Sequence, residues 1–252
     1  MKIEILYPEI ANLFGDLANV KYMMASIPGC KVIGTDLNTK PAFLTSDDVD
    51  LVYMGTMTEN NQIVAMEHLE PYREEIRKAI ETGQRFLMTG NSFEIFCKDI
   101  TDLDDMPLSR FPERVNAGTK TTECLGLFDI NVKRAVMHRL NSLYLGKYKD
   151  LDIVGFKSTF SYAVPNAVIP PLFETVKGPG IDNSSMGEGI RYKNFMATYL
   201  TGPLMVLNPK FMIRFLLECG ETRIDPPHMG AAMAAYEQRL GEFRNDKLNY
   251  VL

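Results

Sequence analysis

The stretch from Arg85 to Ile100, RFLMTGNSFEIFCKDI, constrains the fold more than any other. A short apolar run, Phe86-Leu87-Met88, breaks at Gly90-Asn91-Ser92, and an amphipathic segment begins at Phe93. An apolar strand, a turn of small residues and a helix start make a strand-to-helix elbow, whose turn pushes one side chain into the mouth of a pocket. Backbone N–H groups just after the tip can stabilise an oxyanion. The spacing puts Gly90 at the tip, and glycine has no side chain to offer.

An elbow needs neighbours for its strand, and the chain supplies them. Ile3 to Tyr7 reads as a first strand stopped by Pro8, Lys31 to Thr35 as a second, and Leu51 to Met54 as a third, introduced by Ser46-Asp47-Asp48. Between them, Asn19 to Ile27 carries Val20, Met23, Met24 and Ile27 at helical spacing and ends at Pro28-Gly29. A long helix is expected from Gln62 to Thr82, with Ile63, Met66, Ile76 and Ile80 on one face and Gly83 as its stop. Alternating strands and helices with short connections imply a parallel sheet covered on both faces. Ligands bind at the carboxyl ends of such strands, where Gly55 and Gly90 fall.

Beyond the elbow the character changes. Leu127 to Val132, Ala135 to Leu145 and Ile153 to Phe156 read as strands joined by short turns, an antiparallel extension. Pro165 to Glu188, with four prolines, reads as an irregular loop, and Phe195 to Leu200 as a last strand. Asn208-Pro209 starts a helix ended by Gly220, with Asn208 as its cap. A terminal helix spans roughly Gly230 to Lys247. No repeat or linker interrupts the pattern, so residues 1–252 are expected to form one α/β domain.

Composition removes some functions. The net charge is −5 and no stretch is rich in Lys and Arg, so there is no footprint for nucleic acid. No run approaches the ~20 apolar residues that span a bilayer, and MKIEILYPEI lacks a signal-peptide core. Cys30, Cys97, Cys124 and Cys219 stand far apart with no metal-ligand spacing, so free thiols in a reducing cytoplasm are expected. The chain calls for no cofactor.

Several segments, in order, resemble the cobyric acid synthase-type branch of the class I (triad) glutamine amidotransferases, and in particular the glutaminase subunit of lipid II isoglutaminyl synthase. LYPEIANLFGDLANV is similar to an opening in which a strand end leads to a YGDxGN turn, here Phe14 to Asn19. IRYKNFMATYLTGPLMVLNP is similar to a YKN, GTYLHGPL, NP signature, and the elbow lies between the two. The resemblance covers residues 3 to 220 and implies a flavodoxin-like, mostly parallel sheet with helices on both faces. It also implies a chemistry: an elbow cysteine attacks the glutamine amide, a histidine in TYLHG acts as base, and ammonia passes to a Mur-ligase-like synthetase.

The chain departs from that plan position by position. The family's VCGGYQ falls on Thr89 to Glu94, so Gly90 stands where the cysteine belongs. TYLHG falls on Thr198 to Gly202, so Thr201 replaces the histidine. The GGGQD-like turn becomes Met54-Gly55-Thr56-Met57-Thr58, and GFENH becomes Gly155 to Thr159, again without histidine. Losing nucleophile and base together leaves only binding groups. The implied protein has lost glutaminase activity and keeps its scaffold for a synthetase partner or a small amino-acid-like ligand.

Candidate ligand contacts are Gly55, Thr56, Asn91, Ser92, Glu94 and Thr201. Ser92 has two readings, a displaced nucleophile in an active amidotransferase or hydrolase, or a cap for the helix starting near Phe93. Glu94 either supports the helix start or meets a ligand amine, and the Asp16–Asn19 turn either touches ligand or forms an Asx-turn. Cys97, flanked by Ile95 and Phe96, reads as a buried thiol.

Overall fold

A computed structural model describes residues 1–103, 121–184 and 187–251. Its first half is a wound parallel sheet. Strands β1 (Lys2–Leu6), β2 (Lys31–Thr35), β3 (Leu51–Met54) and β4 (Phe86–Thr89) alternate with helices α1 (Leu17–Ser26), α2 (Glu59–Leu69) and α3 (Arg73–Thr82). Strand alternation divides the core. Val52, Met54, Phe86 and Met88 pack with Ala65, Met66, Ile76 and Ile80 on one face. Leu51, Tyr53 and Leu87 pack with Val20 and Met23 on the other.

The middle of the chain builds two further sheets. Strands β5 (Asp99–Asp102), β6 (Thr121–Glu123), β7 (Ile130–Arg134), β8 (Leu140–Tyr148), β9 (Leu151–Thr159), β10 (Ser161–Pro165), β11 (Phe173–Lys177) and β12 (Gly187–Glu188) lead to β13 (Ile190–Tyr192), β14 (Phe195–Thr198) and β15 (Leu200–Thr201). The main sheet has the order β13-β14-β4-β3-β1-β2. All its neighbours are parallel except the β13–β14 edge pair. A second sheet runs β10-β7-β5-β6 and a third, antiparallel throughout, runs β12-β11-β8-β9-β15. Helices α4 (Leu204–Leu207) and α5 (Pro209–Glu218) follow. Phe211, Met212 and Phe215 join the Val20–Met23 face. Helix α6 (Met229–Phe243) sets Tyr236, Leu240 and Phe243 against Leu145 and Val154 of the third sheet.

Several elements differ from their sequence reading. The helix expected over Gln62–Thr82 is two helices, because the ring of Pro71 admits only a short 3-10 turn at Glu70–Tyr72. The first begins at Glu59, where the Thr58 hydroxyl accepts from Asn61 N at 3.2 Å. The helix expected at Phe93 is a 3-10 segment from Gly90 to Phe96. The Pro165–Glu188 loop contains β11 and β12, and part of it, residues 185–186, lies outside the described residues. The final strand stops at Thr198, and Leu200–Thr201 crosses to the third sheet. Asn208 stands at the N-cap position of α5, as expected, but its side chain does not bond the helix. Its amide brackets β9, accepting from Val154 N at 2.8 Å and donating to Val154 O at 2.8 Å. Among the described residues, no helix is long and apolar enough to cross a membrane.

Candidate functional site at the elbow

β3, β4 and β14 end side by side, and the elbow rises from the carboxyl end of β4. Gly90 has φ +64°, a left-handed conformation that side chains adopt only under strain. A Cβ there would lie 2.0 Å from Thr56 Oγ1, 2.7 Å from Thr56 Cβ and 2.8 Å from its Cγ2. The volume in front of the elbow therefore belongs to Thr56.

Thr56 is held by Asp16, a fully buried carboxylate. Asp16 Oδ2 accepts from Thr56 N at 2.8 Å, Thr56 Oγ1 at 2.5 Å and Thr89 Oγ1 at 2.9 Å, while Oδ1 accepts from Gly202 N at 3.3 Å. Burial raises the Asp16 carboxyl above its ordinary range, and these four hydrogen bonds oppose the shift. Beneath it, the Tyr53 hydroxyl donates to Asp16 O at 3.0 Å and lies 2.9 Å from Thr89 Oγ1. Asn19, read in a turn that either touches ligand or forms an Asx-turn and as the start of the first helix, sits inside α1, donates to the Tyr53 hydroxyl and accepts from Met205 N at 2.8 Å.

A second buried network supports the 3-10 segment. Glu94 accepts from Gln62 Nε2 at 2.8 Å and from the Tyr199 hydroxyl at 2.8 Å. Gln62 also donates to Asn91 O at 2.7 Å and accepts from Arg134 Nη1 at 3.3 Å. Arg134 is clamped by Asp102 through bonds of 2.6 and 3.0 Å. Burial raises the Glu94 carboxyl, with Gln62 and Tyr199 opposing.

The cleft remaining at the elbow measures about 80 Å³ and is lined by Leu13, Phe14, Thr56–Glu59, Gly90, Asn91, Arg139 and Ser158–Ser161. No cysteine or histidine lines it. Of the residues singled out in the sequence, Gly90, Thr56 and Asn91 reach this cleft, whereas Gly55, Ser92, Glu94 and Thr201 do not. Ser92 is fully buried and its hydroxyl lies 2.8 Å from Thr89 O and 3.0 Å from Met54 O, donating to carbonyls beneath the turn. It neither faces the cleft nor caps a helix, because the 3-10 geometry turns it back under β4. Thr201 Oγ1 donates to Phe156 O at 3.3 Å. Glu94 meets protein groups rather than a ligand amine. Cys97 is fully buried, and burial pushes its thiol well up.

No protein-family model matches the chain. It is 23% identical over 199 residues to the GatD subunit of lipid II isoglutaminyl synthase (glutamine-hydrolyzing) from Staphylococcus aureus strain N315, covering 78% of this chain and 75% of GatD. Against the same subunit from Streptococcus pneumoniae strain R6 it is 22% identical over 225 residues, covering 86% and 79%. Among solved structures, PurLQS from Thermotoga maritima superposes with a TM-score of 0.56 at 14% identity, covering 86% of this chain and 98% of the other. A glutamine amidotransferase crystal structure gives 0.55 at 12% identity, covering 86% and 99%.

The chain is a glutamine amidotransferase-like protein related to GatD. In this GatD relative, the network that organises the elbow joins residues the sequence places far apart, and Tyr53, Gln62 and Arg134 had no reading of their own there. Asp16, Tyr53, Thr89, Gln62, Tyr199 and Arg134 come from six separate segments, and their polar atoms meet only in three dimensions. Asp16 gave the one available signal, an acid in a polar turn at the end of the first strand.

Proposed function

We propose that this chain is a glutamine amidotransferase-like subunit that does not hydrolyse glutamine and serves as a partner subunit for a Mur-ligase-like synthetase in amide-transfer metabolism of the cell-wall or cobyric acid type. The observation carrying this reading is the elbow itself, where Gly90 presents no side chain and the cleft lining holds neither thiol nor imidazole. A thiol attack needs a thiolate and a base within reach. The curated relatives are named as subunits of a synthase, which favours a role inside an assembly. A cleft of about 80 Å³ is far below the roughly 300 Å³ at which small-molecule pockets begin, so the partner-subunit role is preferred over a ligand-binding one.

The test is glutamate release from glutamine by the purified protein, alone and with a co-purified synthetase partner. The expected outcome is release at the buffer background in both. Release that Ser92→Ala abolishes would restore the reading of an active enzyme with an unconventional nucleophile.

A further inference from the structure

The elbow has lost its thiol, and the structure also shows what stands in its place. The inference rests on the proposed non-hydrolytic reading and goes further: we infer that Asp16 and Thr56 form an autoinhibitory plug that closes the elbow, so that putting a thiol back at position 90 does not by itself make a reactive site.

Three observations carry it. The clash at Gly90 involves the Cβ, Oγ1 and Cγ2 of Thr56 together, at 2.0–2.8 Å, so no single atom can swing aside to clear it. Thr56 is β-branched and stiff about χ1, and its hydroxyl is tied to Asp16 Oδ2 at 2.5 Å. Asp16 in turn is fixed from three directions, by the third-strand turn through Thr56 N, by β4 through Thr89 Oγ1, and by the segment after β15 through Gly202 N.

The plug also engages backbone donors of the turn after β3. In an acyl-transfer site, backbone N–H groups are held free for the developing oxyanion. Here the N–H of Thr56 points at the protein's own carboxylate, and the N–H of Met57 donates to Asn91 Oδ1 at 3.0 Å. Asp16 thus holds internally an N–H at the cleft that an incoming anion could otherwise have used. A ligand arriving at the cleft finds both of these backbone donors already paired.

The test compares Gly90→Cys with Gly90→Cys/Thr56→Gly, reading alkylation of position 90 by iodoacetamide through peptide mass spectrometry. Removing the Thr56 side chain clears all three clashing atoms, so the double variant is expected to label at least about tenfold faster, because reactivity follows access and thiolate fraction. Equal labelling of the two variants overturns the plug. A single variant that fails to fold while the double variant folds supports it, since the same clash is then expressed as instability. If neither folds, Gly90→Ala and Gly90→Ala/Thr56→Gly replace them. The added Thr56→Gly is then expected to raise the melting temperature of the alanine variant, and a lowering overturns the plug. None of these readouts uses glutamine. Their failure leaves the proposed loss of glutaminase activity standing, whereas glutamate release by the native protein would defeat that reading and leave the steric result intact.

Discussion

Glu94 shows how a single residue reports on the interior it occupies. Its carboxyl lies fully buried between the Gln62 amide and the Tyr199 hydroxyl, and burial raises it above the ordinary value of 4.5. A carboxyl raised in the folded state holds its proton longer there than in the unfolded chain. Its contribution is therefore full at pH below the ordinary value and is lost as pH rises through the folded one. Urea midpoints of the native protein and of Glu94→Gln, measured from acid to neutral pH, should move against the native protein as pH increases. The opposite trend would mean that nearby Arg134 dominates and holds Glu94 ionised. The sequence announced Glu94 as part of the elbow but not its surroundings. Its partners lie on α2 and just after β14, far along the chain, and nothing in the pattern around Gln62 or Tyr199 pairs either residue with Glu94.

Elements were legible wherever one periodicity decided them. The four parallel strands and α1 follow from short apolar runs and a helical stripe. Reading failed where one residue outweighed the pattern, as Pro71 did inside an otherwise continuous amphipathic run. It failed again across Pro165–Glu188, where prolines hid β11, whose Phe173 and Thr175 face inwards while Glu174 and Val176 face out. A buried ion pair inside the third sheet, tied to the end of β14 through Glu188, is signalled by no periodicity. Lys157 on β9 meets Glu188 of β12 at 2.9 Å, both side chains fully buried. Lys157 also donates to Gly180 O at 2.6 Å, and Glu188 Oε1 accepts from Tyr199 N at 2.7 Å at the break between β14 and β15. Removing one partner strands the other charge, so Lys157→Met or Glu188→Leu should each cost about 3–5 kcal/mol in chemical denaturation. The paired replacement should cost clearly less than the sum, and strict additivity would rule out the coupling.

At the scale of the whole molecule, α6 is a lid on the third sheet. Tyr236, Leu240 and Phe243 cover Leu145 and Val154, and Leu143 N donates to Tyr250 O at 2.8 Å just beyond the helix. At ~1.5–3 kcal/mol for each large side chain buried, truncation after Pro227 should remove roughly 5 kcal/mol. That corresponds to a fall in melting temperature on the order of 10 °C or more, with increased binding of an apolar dye. An unchanged melt would show that the third sheet closes without α6.

The pairing of β4 with β14 sets an order of events during synthesis. Residues 90–194 separate these two adjacent strands, so the Phe86–Thr89 ribbon leaves the ribosome long before its neighbour exists. Until then the growing polypeptide carries an apolar edge with unsatisfied amides, the kind of surface that recruits like strands from other chains. A nascent chain halted before residue 195 should therefore associate with holding chaperones, and release of the next few residues should end that association.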